Sequence, residues 1–342
     1  MRKKQGFTLI ELLAVIVILA VIALIATPII LNVIEKAKKG SAEQSANGYL
    51  EAVENQIVLN EVDSSKESIA DGVHSIDELK SLGVEVKGQE PDNGNVYIEN
   101  GIVKNYIFGI GDYVVENGVA TKSTNKKKYE NGTAIYYNPV SEEICSESEA
   151  ISTTETKSGC MKWYVFNDNE DATTINMILD HNTTARMAWD DNGVNVAYSE
   201  SNIALEINKL VTESNWKSVP RLITAEEVSL ITGKTDWKQD GTWYCLESKK
   251  HDAKIAPWCN STGIYGWLYD HTYCKEGSYD WKCSNNDTAT NGYWTSTTYG
   301  TAGSNSYVWR VDRNSSFNSS CYANSTDDGV RPVITISKSK LS

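Results

Sequence analysis

The sequence predicts an α+β fold: one long N-terminal helix packed on a small antiparallel sheet, followed by a second, loop-rich α+β unit. Three observations predict it. An apolar run from Phe7 to Leu31 passes into an amphipathic stretch where Ala46, Tyr49, Leu50, Val53 and Ile57 recur at helical spacing. Short β-prone segments then alternate with Asn-Gly pairs, a strong short-range hairpin signal. Finally, all ten tryptophans lie between Trp163 and Trp309 and all seven cysteines between Cys145 and Cys321, so the composition changes near residues 125–140.

The first element is a helix from about Phe7 to about Asn60. Its apolar part is long enough to cross a hydrocarbon core of ~30 Å. A basic leader (Arg2, Lys3, Lys4) precedes it, and Lys36, Lys38 and Lys39 follow it. Pro28 lies inside, where a proline kinks or locally opens a helix. Gly40 and Gly48 weaken it locally. Glu11 sits within the apolar edge, where an ionised group is expensive and a partner is the default expectation. A secretory signal peptide fits poorly, because the run is too long and opens on a carboxylate.

The next unit is small. Ser75 can cap a short helix, Ile76 to Leu82, which Gly83 ends. Four strands follow at Val96–Ile98, Ile102–Ile107, Tyr113–Val115 and Val119–Thr121, with turns at Asn100-Gly101 and Asn117-Gly118. Lys126-Lys127-Lys128 and Asn131-Gly132 read as linker punctuation. In the second unit helices are expected at Ser201–Thr212 and Ala225–Leu230, among aromatic strands and long Gly-, Asn- and Ser-rich loops. The domain reading is therefore leader 1–6, stem 7–60, small β unit 61–130 and second unit 131–342.

The net charge is −13, and both units beyond the stem are acidic. Such a surface repels phosphate backbones, so nucleic acid is an unlikely partner, although a local basic patch is not excluded.

The string Gly6-Phe7-Thr8-Leu9-Ile10-Glu11 resembles the prepilin cleavage and methylation signal of type IV pilins and type II secretion pseudopilins. The resemblance implies that a membrane peptidase cuts after Gly6 and that Phe7 is then N-methylated. Glu11 becomes the fifth residue of the mature chain, and Pro28 is similar to a proline found in many pilin stems. Cleavage would put an α-ammonium on Phe7, which Glu11 of a neighbouring helix could neutralise; such a buried pair is weak glue but sets register. The helix laid on a β-meander looks like the pilin fold.

Two later runs carry a second resemblance: Gly292-Tyr293-Trp294-Thr295-Ser296-Thr297 and Asp327-Asp328-Gly329-Val330-Arg331-Pro332-Val333-Ile334, with Tyr307-Val308-Trp309-Arg310-Val311 between them. They are similar to the C-terminal half of C-type-lectin-like folds, in the branch related to formylglycine-generating enzymes. Such a likeness implies fold and leaves function open. The tripeptides of the calcium-and-sugar site are absent from this region, and no redox or copper-binding cysteine pair can be placed. Glu90-Pro91-Asp92-Asn93 reads as a turn.

No cofactor is expected. Trp189-Asp190-Asp191-Asn192-Gly193 and Asp327-Asp328-Gly329 are acidic enough to raise structural calcium, but an ordinary Asp/Asn/Gly turn is favoured for both. Zinc is disfavoured by cysteine spacing. Seven cysteines suit an oxidising compartment, with Cys145/Cys160, Cys245/Cys259 and Cys274/Cys283 as candidate pairs and Cys321 left over. Connectivity does not follow from sequence. Trp267 and Tyr269 read as core. Tyr279 and Trp281, on the Cys274–Cys283 loop, are the candidate ligand contacts. No phosphate loop and no nucleophile–base motif points to an enzyme.

The functional expectation is a minor pilin or pilin-like subunit with an exposed, adhesive head. Its partners would be other pilin subunits, the prepilin peptidase/N-methyltransferase, the membrane before assembly, and a glycan or protein ligand. It would start as a single-pass membrane prepilin and end in an extracellular filament. The alternatives are a pseudopilin of a secretion or DNA-uptake system, and a membrane-anchored surface binding protein or enzyme that does not polymerise.

Overall fold

The computed structural model describes residues 9–341, apart from 64, 67, 124, 152–155, 170–171, 185, 195, 235–242, 247–262, 270–291, 301–306, 313–314 and 327. Helix α1 (Leu9–Val62) is one helix of 54 residues that continues through Pro28. Beside the proline, the Thr27 hydroxyl donates to the Ala23 carbonyl at 2.7 Å, a back-bond of the kind that bends helices. Only the C-terminal half is packed. Ala42, Ala46, Tyr49, Val53 and Ile57, three or four residues apart, are buried on one face.

That face lies on a meander of five antiparallel strands: β1 (Gly72–Ser75), β2 (Asn93–Glu99), β3 (Ile102–Ile110), β4 (Tyr113–Glu116) and β5 (Val119–Lys122). Asn100 and Gly101 have φ of 54° and 69°, and Asn117 and Gly118 have 47° and 87°. Two successive left-handed residues form the turn whose twist suits a two-residue hairpin, which is why Asn-Gly marks both places. The Asp71 carboxylate fixes the first turn by accepting the amides of Asn100 and Gly101 at 2.7 and 2.9 Å. Helix α2 (Ile76–Ser81) is capped by Ser75, whose hydroxyl accepts the Glu78 amide. Tyr49 meets Phe108 edge-on at 5.4 Å. Val53, Ile57, Leu79, Val96 and Ile98 fill the same core, each worth about 1.5–3 kcal/mol once fully buried.

Among the described residues, the second unit holds two further sheets of five strands. The first, in spatial order, contains β15 (Val333–Ser337), β9 (Thr174–Leu179), β8 (Met161–Phe166), β6 (Ala134–Asn138) and β7 (Glu143–Ile144). The other contains β10 (Trp243–Cys245), β13 (Ser316–Tyr322), β12 (Tyr307–Asp312), β11 (Gly292–Thr298) and β14 (Asp328–Gly329), with β14 parallel to β11. Helix α3 (Asn202–Thr212) begins at the Ser201 cap. Helix α4 (Ala225–Thr232) has a reciprocal Thr224/Glu227 cap and ends at Gly233 with φ 66°. Among the described residues, Trp163, Trp189, Trp216 and Trp294 share one core cluster, and Trp309 joins Tyr293 and Phe317 in another. Tyr269 is buried, and Trp267 is half-buried against that second cluster.

A polar seam joins the two units. Asn93 and Asn95 of β2 hydrogen-bond Thr174 and Thr335, and the Thr173 hydroxyl donates to the Tyr113 carbonyl at 3.3 Å. The chain enters the second core before residue 131. Tyr129 is buried in it, and its amide donates to Asp168 at 2.8 Å. The Lys338 ammonium, wholly buried, pairs with Asp168 at 2.8 Å and donates to the Lys127 carbonyl at 3.1 Å.

Candidate functional site

The N-terminal half of α1 presents a long, bare apolar surface. From Leu9 to Ile34 its large aliphatic side chains are exposed on every side. This stretch rises about 39 Å at 1.5 Å per residue, so it exceeds a hydrocarbon core of ~30 Å. Glu11 lies in its first turn. Gly6 and Phe7 lie outside the described residues.

Where α1 meets the sheet, charges replace aliphatics. Lys122 at the end of β5 pairs with Glu35 at 2.9 Å, while the Tyr113 hydroxyl donates to the Glu35 carbonyl at 3.2 Å. Glu43 accepts the Ala120 amide. Lys126 reaches Asp112 at 2.6 Å. The hydrogen bond and charge of Lys126, aided by Lys38 and Lys122, hold the Asp112 carboxyl below the usual carboxylate range.

In the second unit the cysteine reading resolves in part. Cys145 and Cys160 form a disulfide with Cα atoms 6.0 Å apart. Cys245 is also disulfide-bonded. Cys321 is a free, buried thiol. Cys259, Cys274 and Cys283 lie outside the described residues, as do Tyr279 and Trp281.

The two acidic motifs take different roles. At Asp190 the carboxylate accepts the amides of Asn192 and Val194 at 2.9 and 3.3 Å, which makes an Asx-type turn. Asp328 departs from the expected turn. It lies on strand β14, wholly buried, and pairs with Arg310 at 2.8 Å. Arg310 also pairs with Asp312 at 2.9 Å, and Ser316 and Asn318 donate to Asp312. Burial, opposed by Arg310, pushes the Asp312 carboxyl up to about 6. A strand here needs a buried acid because the arginine on β12 must be neutralised away from water; local turn propensity carries no trace of that requirement.

The Gly-Val-Arg-Pro run has an equally physical basis. Arg331 is fully buried and donates to the carbonyls of Leu179, Leu268 and Trp267 at 2.5, 2.7 and 2.8 Å. Its guanidinium also lies over the Tyr293 ring, 5.1 Å from the centroid. A Cβ at Gly329 would come within 3 Å of Asn182 and of the Thr184 carbonyl, so the strand approaches there only as glycine. Tyr293 and Arg331, one from each motif, thus hold the fold together. At the seam, Asn95, Tyr97, Asn105 and Lys217 line a cavity of about 40 Å³, which is room for a few waters.

Residues 1–27 match the family model described as the prokaryotic N-terminal methylation motif. No curated protein and no solved structure matched the chain. The motif match supports a type IV pilin-like prepilin signal, and with the apolar helix behind it fits a membrane-anchored prepilin.

Proposed function

We propose that this chain is a subunit of a type IV pilus-type filament, cleaved after Gly6, N-methylated on Phe7 and polymerised through α1. The second unit then projects as a C-type-lectin-like head that binds a surface glycan or protein. One observation carries the reading: a methylation motif runs directly into a helix half that the folded units leave bare. Apolar surface of that extent is kept only where lipid or other helices cover it. Glu11, in the first turn, then meets the Phe7 ammonium of a neighbour in the helical bundle.

The proposed head carries its contact on Tyr279 and Trp281, which lie outside the described residues; aromatic side chains of this kind suit a glycan or protein ligand. The reading assigns no catalysis.

Mass spectrometry of the mature N-terminus, together with immunoblots of sheared surface filaments, tests the proposal. The expected result is a chain that begins with N-methyl-Phe7 and co-purifies with filaments. An intact Met1 on a chain that stays in the membrane fraction would make it a simple anchored protein.

A further inference from the structure

The chain carries a net charge of −13, yet one end of its folded part has the opposite sign. Lys36, Lys38 and Lys39 circle α1 directly after the bare apolar half, and all three are exposed. Lys122 stands at the same level, since its ammonium touches Glu35 of the helix. Lys126 joins through Asp112, which also feels Lys38 and Lys122. Lys127 and Lys128 follow Lys126 in the chain, both exposed, with the Lys127 ammonium over the Tyr129 ring. Glu43, Glu35 and Asp112 pair with Lys39, Lys122 and Lys126, Asp92 holds the Gly111 amide beside Asp112, and Glu130 lies two residues past Lys128 in the chain, so the seven lysines exceed the five acids around them.

The level of the ring matters. Leu9–Ile34 rises about 39 Å, between the ~30 Å of hydrocarbon and the ~40–45 Å of a bilayer with its headgroups. When the leader's bases lie at one surface, Lys36–Lys39 emerge among the headgroups of the other. Lysines on that side run against the usual orientation bias, so topology does not account for them. The rest of the molecule is acidic and is repelled by an anionic plane, which leaves this end as the one that can approach it.

We propose that the lysine ring docks on anionic phospholipid headgroups and holds the folded units upright on the membrane until the subunit leaves for the filament. The inference rests on the reading of α1 as a membrane span. Attraction of this kind amounts to about a five-fold gain in the docked population per lysine near the surface, and it fades within a Debye length of ~8 Å. Extraction from the bilayer breaks all the contacts together.

The test is hydrogen exchange of the full-length chain in nanodiscs of phosphatidylcholine, with and without phosphatidylglycerol. Amides of residues 111–128 should exchange at least about five-fold more slowly in the anionic discs at low salt. The difference should vanish at high salt and in the variant Lys122→Glu/Lys126→Glu/Lys128→Glu, while β8 and β9 amides stay unchanged as the check on folding. If the variant misfolds, the salt titration of the unaltered chain decides the matter. Equal exchange in both discs would overturn the proposal. Protection by added duplex DNA in phosphatidylcholine discs, with none from phosphatidylglycerol, would overturn it in favour of a nucleic-acid surface. A chain that does not co-elute with either disc would overturn the span reading, and this inference with it.

Discussion

Glu11 and Arg331 are two charges in apolar settings, and their surroundings predict opposite defects when the charge is removed. Glu11→Gln takes a carboxylate out of an apolar run, so insertion into the membrane should be unharmed. In the proposed filament, incorporation should fall, because a neighbour's ammonium loses its partner at a cost of about 3–5 kcal/mol if the pair is buried. Quantitative immunoblots of membranes and sheared filaments would separate the two effects, and normal incorporation would refute the pairing. Arg331→Met acts on folding instead. It takes a donor from the Leu179 and Trp267 carbonyls, while Leu268 keeps the Tyr293 hydroxyl; at about 1–3 kcal/mol for each group left unpaired, a loss of about 2 kcal/mol or more is expected in a denaturant titration. The apolar setting of Glu11 can be read from the sequence because its neighbours in the chain surround it in the first turn of α1. Arg331 was visible as part of a motif, but its partners lie up to 152 residues away, and no local pattern carries that information. Asp328 departs from its local turn propensity for the same reason: its acid answers to Arg310 on another strand.

Among elements, those defined by nearest neighbours were readable. Both Asn-Gly hairpins, the Ser75 cap of α2 and the buried stripe of α1 follow from turn geometry and helical period. Strand β1 was not foreseen, since Gly-Val-His-Ser has no alternation, and its four residues are held by pairing with β2. The β1–α2 corner contains a titratable pair. His74 is buried, with Nε2 on the Ala70 carbonyl at 2.7 Å and Nδ1 on Glu78 at 3.1 Å. Burial opposes the charged ring, but Glu78 and the Ala70 carbonyl outweigh it, and the His74 pKa is raised. Burial likewise opposes the Glu78 carboxylate, but His74 outweighs it, and that pKa is lowered. A raised histidine stabilises fully below its unfolded pKa of ~6.5 and loses the contribution as pH climbs through its folded value. A depressed glutamate stabilises fully above ~4.3 and loses it as pH drops through its folded value. The corner is therefore tightest between about pH 4.3 and 6.5. Melting temperature should decline as pH rises above that window, and His74→Gln should flatten the decline. Since a third of the Glu78 side chain is exposed, solvent screening keeps the effect small. An unchanged slope in the variant would remove His74 from the account.

At the scale of the whole molecule, the seam decides how separable the units are. The change in composition near residues 125–140 was readable, but the entry point of the second core was not, because Tyr129 carries no mark of which core it joins. A fragment that begins at Asn125 should be more stable than one that begins at Asn131. The shorter one lacks the buried Tyr129 ring, worth up to about 3 kcal/mol, and the Lys127 carbonyl that receives Lys338. Equal melting temperatures would show that the linker belongs to neither core. The order of the second unit's first sheet adds a constraint of time. Thr335 on β15 bonds Asn176 on β9, 159 residues earlier. At synthesis rates of ~5–20 residues per second, β9 waits roughly ten to thirty seconds for its partner. Through that delay β9 is an open sheet edge, available to any other chain. That exposure is set by the pace at which the polypeptide is delivered, and a chain stalled before residue 333 would offer the β9 edge to proteases and to other chains.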